Sequence, residues 1–297
     1  MNGIAISSVE EPEAPVCLAD GSFYIVEMSR GRHCVVHVTP DGRKRDVVVT
    51  AGRPNGLAID GDGNIWIAEA TEGALLCVSP EGQELQKLPG DADGRFLWPN
   101  DLAFSPDGRL YMTDSGIIDR DFIDGLTIRA DFATASYDGR VYEIDPRAGT
   151  ILRTLDRGIR FTNGVAFGPD GLLYVAETLS GDIFVYDTAE EKPERRRFGN
   201  CLTPDGPAVF KGPDGIKFGA DGRLYCAIYG LGVVAVLDRT GKLVAQMPTL
   251  GARPTNIAFR LEGTEAIVTE VAKGQVESLA MPCAGLKLHY PRHLLAE

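Results

Sequence analysis

The sequence predicts an all-β fold: a six-bladed β-propeller of four-stranded antiparallel blades around a central channel, built as one domain over residues 1–297. Three observations predict it. One unit recurs six times at blade-length spacing. Each copy carries an acid-glycine turn at the same place. No long segment shows the 3.6-residue period of an amphipathic helix.

The clearest copies are PNGLAIDGDGNIWIAEA at 54–70, PNDLAFSPDGRLYMTDS at 99–115, TNGVAFGPDGLLYVAET at 162–178, PDGIKFGADGRLYCAIY at 213–229 and TNIAFRLEGTEAIVTEV at 255–271. A weaker first copy, PEAPVCLADGSFYIVEM, covers 12–28. The copies are keyed on Glu13, Asn55, Asn100, Asn163, Asp214 and Asn256, at intervals of 42, 45, 63, 51 and 42 residues. Seven residues after the key stands the acid of a turn: Asp20, Asp62, Asp107, Asp170 and Asp221, each followed by Gly. The sixth copy is one residue tighter, at Glu262-Gly263. Asp-Gly between two apolar runs signals a tight hairpin, with both central residues expected at positive φ. The flanking runs, such as Leu110-Tyr111-Met112 and Leu173-Tyr174-Val175, have strand composition. A third apolar run and a more variable fourth complete each blade.

In a propeller the innermost strand of each blade lines the channel, and the key residue opens that strand. Six side chains, each with an oxygen, are therefore expected at one mouth. The second strand returns to that mouth and ends fourteen residues after the key, at Glu27, Glu69, Asp114, Glu177, Ile228 and Glu270. So dense a set of carboxylates would repel itself unless cations intervene or some members take protons. Carboxylate and amide oxygens without Cys or His form a hard donor set, suited to Ca2+ and, after it, Mg2+ or Mn2+. Asn also opens such strands simply by capping the turn, which is the plainer reading of Asn55 and Asn256. Glu13 and Asp214 depart from the repeat toward charge and are the sharper candidates. The look-alike Asp60-Gly-Asp62-Gly-Asn64 has Ile65 where a calcium loop needs Gly and Thr71 where it needs Glu, so it reads as a hairpin.

Composition limits the partners. The chain carries 42 acidic and 30 basic residues, a net charge of −12, which argues against nucleic acid and anionic membranes. It has no 18-residue apolar run, and MNGIAISSVEEPEAP is not a signal peptide, so the expectation is a cytoplasmic protein, a monomer or weak homodimer. Six scattered cysteines without a CxxC read as small buried hydrophobes. The longest interval holds an insertion, SGIIDRDFIDGLTIRADFATAS at 115–136, expected to overhang the channel as a lid or substrate wall through Arg120, Phe122, Arg129 and Phe132. A second irregular stretch, 203–211, enters the fifth blade from the same side.

The motifs PEAPV, WPNDLAFSPDG, TNGVAFGPDG and GPDGIKFGADG, in that order over residues 8–275, resemble those of the senescence marker protein (regucalcin), gluconolactonase and luciferin-regenerating enzyme family of six-bladed propellers. The resemblance implies one divalent metal at the channel mouth, Ca2+ first, with Zn2+, Mg2+ or Mn2+ as alternatives. It assigns Glu13, Asn163 and Asp214 as ligands and Asn100 as a ligand or substrate contact. It also implies hydrolysis of a lactone or related ester ring. Where sugar lactonases of that family carry an Arg, this chain has Trp98, so the pocket is expected to be less polar. In this reading a carboxylate activates water, Asp214 first and Asp101 second, with Asn100, Trp98, Arg120 and Phe122 on the substrate and Glu27, Asp114 and Glu177 supporting the site. The competing readings are a metal-independent strictosidine-synthase-like or lyase propeller and a calcium-binding propeller without catalysis.

Overall fold

The computed structural model describes residues 2–203 and 209–292. Six four-stranded antiparallel sheets follow one another along the chain, each running from an inner strand to an outer one. The inner strands are Pro12–Cys17, Pro54–Ile59, Pro99–Phe104, Thr162–Phe167, Gly212–Phe218 and Pro254–Phe259. Neighbouring inner strands touch around the ring, including the last against the first. This is the six-bladed propeller that the repeat predicts.

Ring closure was not legible in the repeat. The outermost strand of the sixth blade is the N-terminal segment Gly3–Ser7, which pairs antiparallel with Gln275–Ala280. The two chain ends are thus stitched in one sheet, and each wedge between blades is filled by apolar side chains such as Trp66, Phe104 and Met112.

The turns differ in one respect from the expectation. Only the Gly of each pair is left-handed (Gly21 at φ 83°, Gly63 at 87°, Gly171 at 80°), and the acid is not. In three of the turns the Asp acts through its carboxylate instead, accepting the N–H two residues on: Asp20 that of Ser22, Asp170 that of Leu172, Asp221 that of Arg223. A three-residue loop with one αL glycine satisfies the twist of the hairpin equally well. The calcium-loop look-alike is such a turn, with the Asp60 carboxylate taken by the N–H groups of Asp62 and Asn64 and by the Trp66 indole.

Every inner strand breaks register beside its key residue, in the sixth blade just before Asn256. The bulges turn the key side chains and press the strands together at the axis. A Cβ on Gly164 would lie 2.3 Å from the Asp214 carbonyl oxygen, which explains glycine there. The six cysteines are free, five of them buried. No helix among the described residues is long and apolar enough to cross a membrane.

Candidate metal centre at the channel mouth

Four key residues, Glu13, Asn100, Asn163 and Asp214, together with Asn55, line one small cavity of about 60 Å3. The repeat brings them there from five blades. Glu13 and Asp214 are far apart in sequence yet share this space, and each raises the other's cost of ionisation. The protein surrounding Glu13 pushes its carboxyl up to about 7, because burial removes the water that would stabilise the charge. Burial, then the nearby Glu13 charge, hold Asp214 well above the ordinary carboxylate range. Of the two, Asp214 is the more open to the cavity, and Glu13 is buried.

Hydrogen bonds sort the four asparagines into two kinds. Asn100 donates its amide to Ser115 Oγ (2.9 Å), and that hydroxyl donates to the Thr162 carbonyl (3.0 Å). Asn163 donates to Thr178 Oγ1 (3.1 Å), which donates to the Pro213 carbonyl (2.8 Å). In both, the amide nitrogen is fixed and the oxygen is left to accept. Asn55 instead accepts the Trp98 indole N–H on its oxygen (3.3 Å). Asn256 spends its oxygen on the Ile257 N–H (2.8 Å) and donates to Glu13 Oε1 (2.8 Å). Asn55 and Asn256 are therefore committed to the protein, and Asn256 orients a candidate ligand.

Glu13 Oε2 is buried and has no hydrogen-bond partner. A buried, unpartnered carboxylate oxygen beside a second carboxylate and two oriented amide oxygens is a donor set that fits a hard divalent cation. The set holds only two carboxylates. Among the described residues no group of three or more His, Cys, Asp and Glu is placed to hold a metal.

The acids at the ends of the second strands are not a cluster over the mouth. Asp114 accepts the backbone N–H groups of Leu97, Trp98 and Gly116; Glu177 accepts that of Arg160; Glu270 accepts those of Arg253, Ala272 and Lys273. Glu27 pairs with Arg32. Asp114, Glu177 and Glu270 cap the loop that precedes their own inner strand and Glu27 is neutralised by Arg32, so the expected repulsion at the mouth does not arise. Glu27, Asp114 and Glu177 hold loops and make no direct contact with the candidate ligands.

Two other expectations are corrected. Asp101 does not line this cavity. Its carboxylate accepts the N–H groups of Leu102 (2.9 Å) and Val165 (3.1 Å), lies 3.7 Å from Lys217 Nζ, and faces a separate cavity further along the channel. It is the residue after the key, and strand alternation turns it the other way. Arg120 is exposed and outside the cavity.

Four residues of the insertion at 115–136, Phe122, Ile123, Leu126 and Ile128, line the cavity at the mouth. The insertion forms a helical turn, Asp119–Phe122, and a small hairpin, Ile123–Asp124 with Thr127–Ile128. Arg253 of the sixth blade donates to the Leu126 carbonyl (3.1 Å), Thr71 of the second to Asp119 (2.8 Å), and Arg30 of the first pairs with Asp124 (3.2 Å). Phe122 meets Trp98, Phe161 and Phe210 at ring-centroid distances of 5.9, 4.8 and 5.5 Å. Arg129 pairs with Asp131, and Phe132 packs on Phe210. Of the second irregular stretch, residues 204–208 lie outside the described residues, and Phe210 joins the apolar roof.

Sequence reasoning missed Tyr229 and Arg53. The Tyr229 hydroxyl and Arg53 Nε are buried at the cavity without a partner. Tyr229 stands fifteen residues after Asp214, the same offset that gives Ser115 and Thr178, so a signal existed.

Six four-stranded blades around a channel define the class of six-bladed propellers. The chain belongs to the family described as SMP-30/gluconolactonase/LRE-like, whose profile matches residues 12–270. It is 30% identical over 190 residues to strictosidine synthase-like protein 4 of Arabidopsis thaliana, covering 63% of this chain and 47% of that protein, so it spans about half that relative's length. It is 25% identical over 250 residues to the gluconolactonase of Zymomonas mobilis, covering 76% of this chain and 67% of that one. The calcium-binding regucalcin of Agrobacterium tumefaciens superposes with a TM-score of 0.75 at 20% identity, covering 98% of this chain and 97% of the other; at that identity the likeness shows the fold.

Proposed function

We propose that this chain is a divalent-cation-dependent lactonase that takes a lactone bearing an apolar substituent. The observation that carries the reading is the pairing of an unpartnered Glu13 Oε2 with two amide oxygens, of Asn100 and Asn163, left to accept by their hydroxyl partners. Glu13, Asn100, Asn163 and Asp214 would hold the cation, Ca2+ first by donor chemistry. When bound, the cation supplies Lewis acidity toward a carbonyl oxygen. The kinship with gluconolactonase supports the reaction class, and the calcium-binding regucalcin of the same fold supports the ion.

The chain's own residues do the rest. Asp214, the more open carboxylate, takes a proton from water as the water oxygen bonds to the lactone carbonyl carbon. The ring C–O bond then breaks, and that proton passes to the departing alkoxide, giving a hydroxy acid. Trp98, Phe122, Phe161 and Phe210 exclude solvent and receive the apolar part of the substrate.

The test couples metal analysis to a lactone panel assayed with and without chelator. The expected result is one bound divalent ion, chelator-sensitive hydrolysis that favours alkyl- or aryl-substituted lactones over sugar lactones, and loss of activity in a folded Asp214→Asn variant. Chelator-resistant turnover would instead favour the metal-independent propeller reading, to which the strictosidine-synthase-like relative belongs by name. Cation binding without turnover of any lactone would leave a calcium-binding propeller.

A further inference from the structure

A second cavity, about 390 Å3 and larger than that at the mouth, is lined by the far part of the inner strands and by residues 285–290. It lies within the size range of small-molecule sites and has their character, an apolar wall with few polar groups. Its walls are the inner strands, whose residue three places after the key is Val16, Ala58, Ala103 or Ala166 in blades one to four and, with one residue fewer, Ala258 in the sixth. These short side chains leave the lumen open. In the fifth blade the same place carries Lys217. The repeat is broken toward charge here just as it is at Glu13 and Asp214, but on the opposite face of the strand.

Lys217 Nζ makes no hydrogen bond to the described residues, and its one ionic neighbour, Asp101, stands at 3.7 Å, beyond hydrogen-bond reach. The Asp101 carboxylate already accepts two backbone N–H groups. The other basic side chains at this cavity are otherwise engaged or turned to solvent: Arg260 bonds the Gly21 carbonyl and Glu265, burial lowers the His289 pKa and favours its neutral form, and Lys287 is exposed. A tail straps this cavity. Leu286 N–H donates to the Phe218 carbonyl (2.9 Å), and Gly61 N–H to the Pro291 carbonyl (2.7 Å), so the strap runs from the fifth blade to the second.

We propose that this cavity is a second ligand site, for an apolar monocarboxylate, whose chain lies along the alanine-lined lumen and whose carboxylate is held by Lys217. A cavity of this wall chemistry favours an apolar chain over water, and an ammonium with free donors gives a charge-assisted hydrogen bond to a carboxylate. The inference is independent of the reaction assigned to the mouth.

Decanoate is titrated calorimetrically into the whole protein in the presence of chelator, with 1-decanol as the uncharged analogue. The expected result is one decanoate per chain, bound about tenfold or more tighter than decanol. Lys217→Met is expected to erase that preference while keeping decanol binding. Ala103→Phe, which fills the lumen, should abolish both, and Asp214→Asn should leave decanoate binding within about threefold, since its side chain faces the other cavity. If Ala103→Phe does not fold, the preference in Lys217→Met decides alone. No decanoate binding by the wild type, or an undiminished preference in Lys217→Met, would overturn the proposal. So would loss of binding in Asp214→Asn with binding kept in Ala103→Phe, since the acid would then sit at the mouth.

Discussion

Blades three and four differ from blades two and six at one place, and that place decides what an asparagine does. All four open their inner strand with Asn. Fifteen residues on, blades three and four carry Ser115 and Thr178, where blades two and six carry Ala70 and Val271. The hydroxyl takes the amide nitrogen and passes its own proton to a carbonyl of the next blade. Without it, Asn55 gives its oxygen to Trp98, and Asn256 turns to a backbone N–H and to Glu13. The same residue at the same repeat position is a free oxygen donor in one pair and a structural brace in the other. The lesson is that a repeat position acquires a role through its partner strand.

The comparison can be broken most sharply at the asparagines themselves. Asn163→Ala is expected to lower kcat/KM by ~100-fold or more, on the scale of losing one preorganised polar group at a reacting centre, read by steady-state assay on the best lactone of the panel. Thr178→Val should act through Asn163, weakening cation affinity by about 10–100-fold while Thr178→Ser restores it, read by calorimetric titration of Ca2+. A Thr178→Val protein with wild-type cation affinity would remove the hydroxyl from the account.

The carboxylate side of the ring is sharpened by pH. Glu13 is pushed up to about 7 by burial. In the unfolded chain it ionises at lower pH, so the unfolded state binds fewer protons between those values. Stability of the chelated protein should therefore be greatest below about pH 4.5 as far as this group is concerned, and should fall as pH rises to about 7, by on the order of 2 kcal/mol. Glu13→Gln should flatten that slope in denaturant melts from pH 5 to 8. The smallest effect is expected at the brace: Asn55→Ala should change kcat/KM by less than about threefold, since it removes two hydrogen bonds of typical worth ~1 kcal/mol each, to the Trp98 indole and the Asn100 backbone carbonyl, and no proposed cation ligand.

Much of this was legible in the residues. The Asp-Gly register fixed the blade count, and the departures at Glu13 and Asp214 marked two residues that the structure places at one cavity. The errors share a physical cause. Glu69, Asp114, Glu177 and Glu270 lie opposite a strand-opening Pro or Thr, and their carboxylates reach the N–H groups of the loop before it. Strand alternation tells which face a residue occupies and is silent on a side chain that curls over the strand end. Asp101 was misplaced because it was grouped with its neighbour Asn100, whereas successive residues of a strand point to opposite sides. Ring closure by Gly3–Ser7 left no trace, because an outer strand with one packed face has little pattern in five residues. The Ser115 and Thr178 hydroxyls were in plain view, but only the hydrogen-bond network gives them meaning.

The most direct test is an anomalous difference map from crystals soaked in Mn2+, a hard-cation stand-in for the ion of the mouth. The account predicts a single strong peak within coordination distance of Glu13, Asp214 and the amide oxygens of Asn100 and Asn163. A map with no peak there, or with the ion bound elsewhere in the channel, would contradict it.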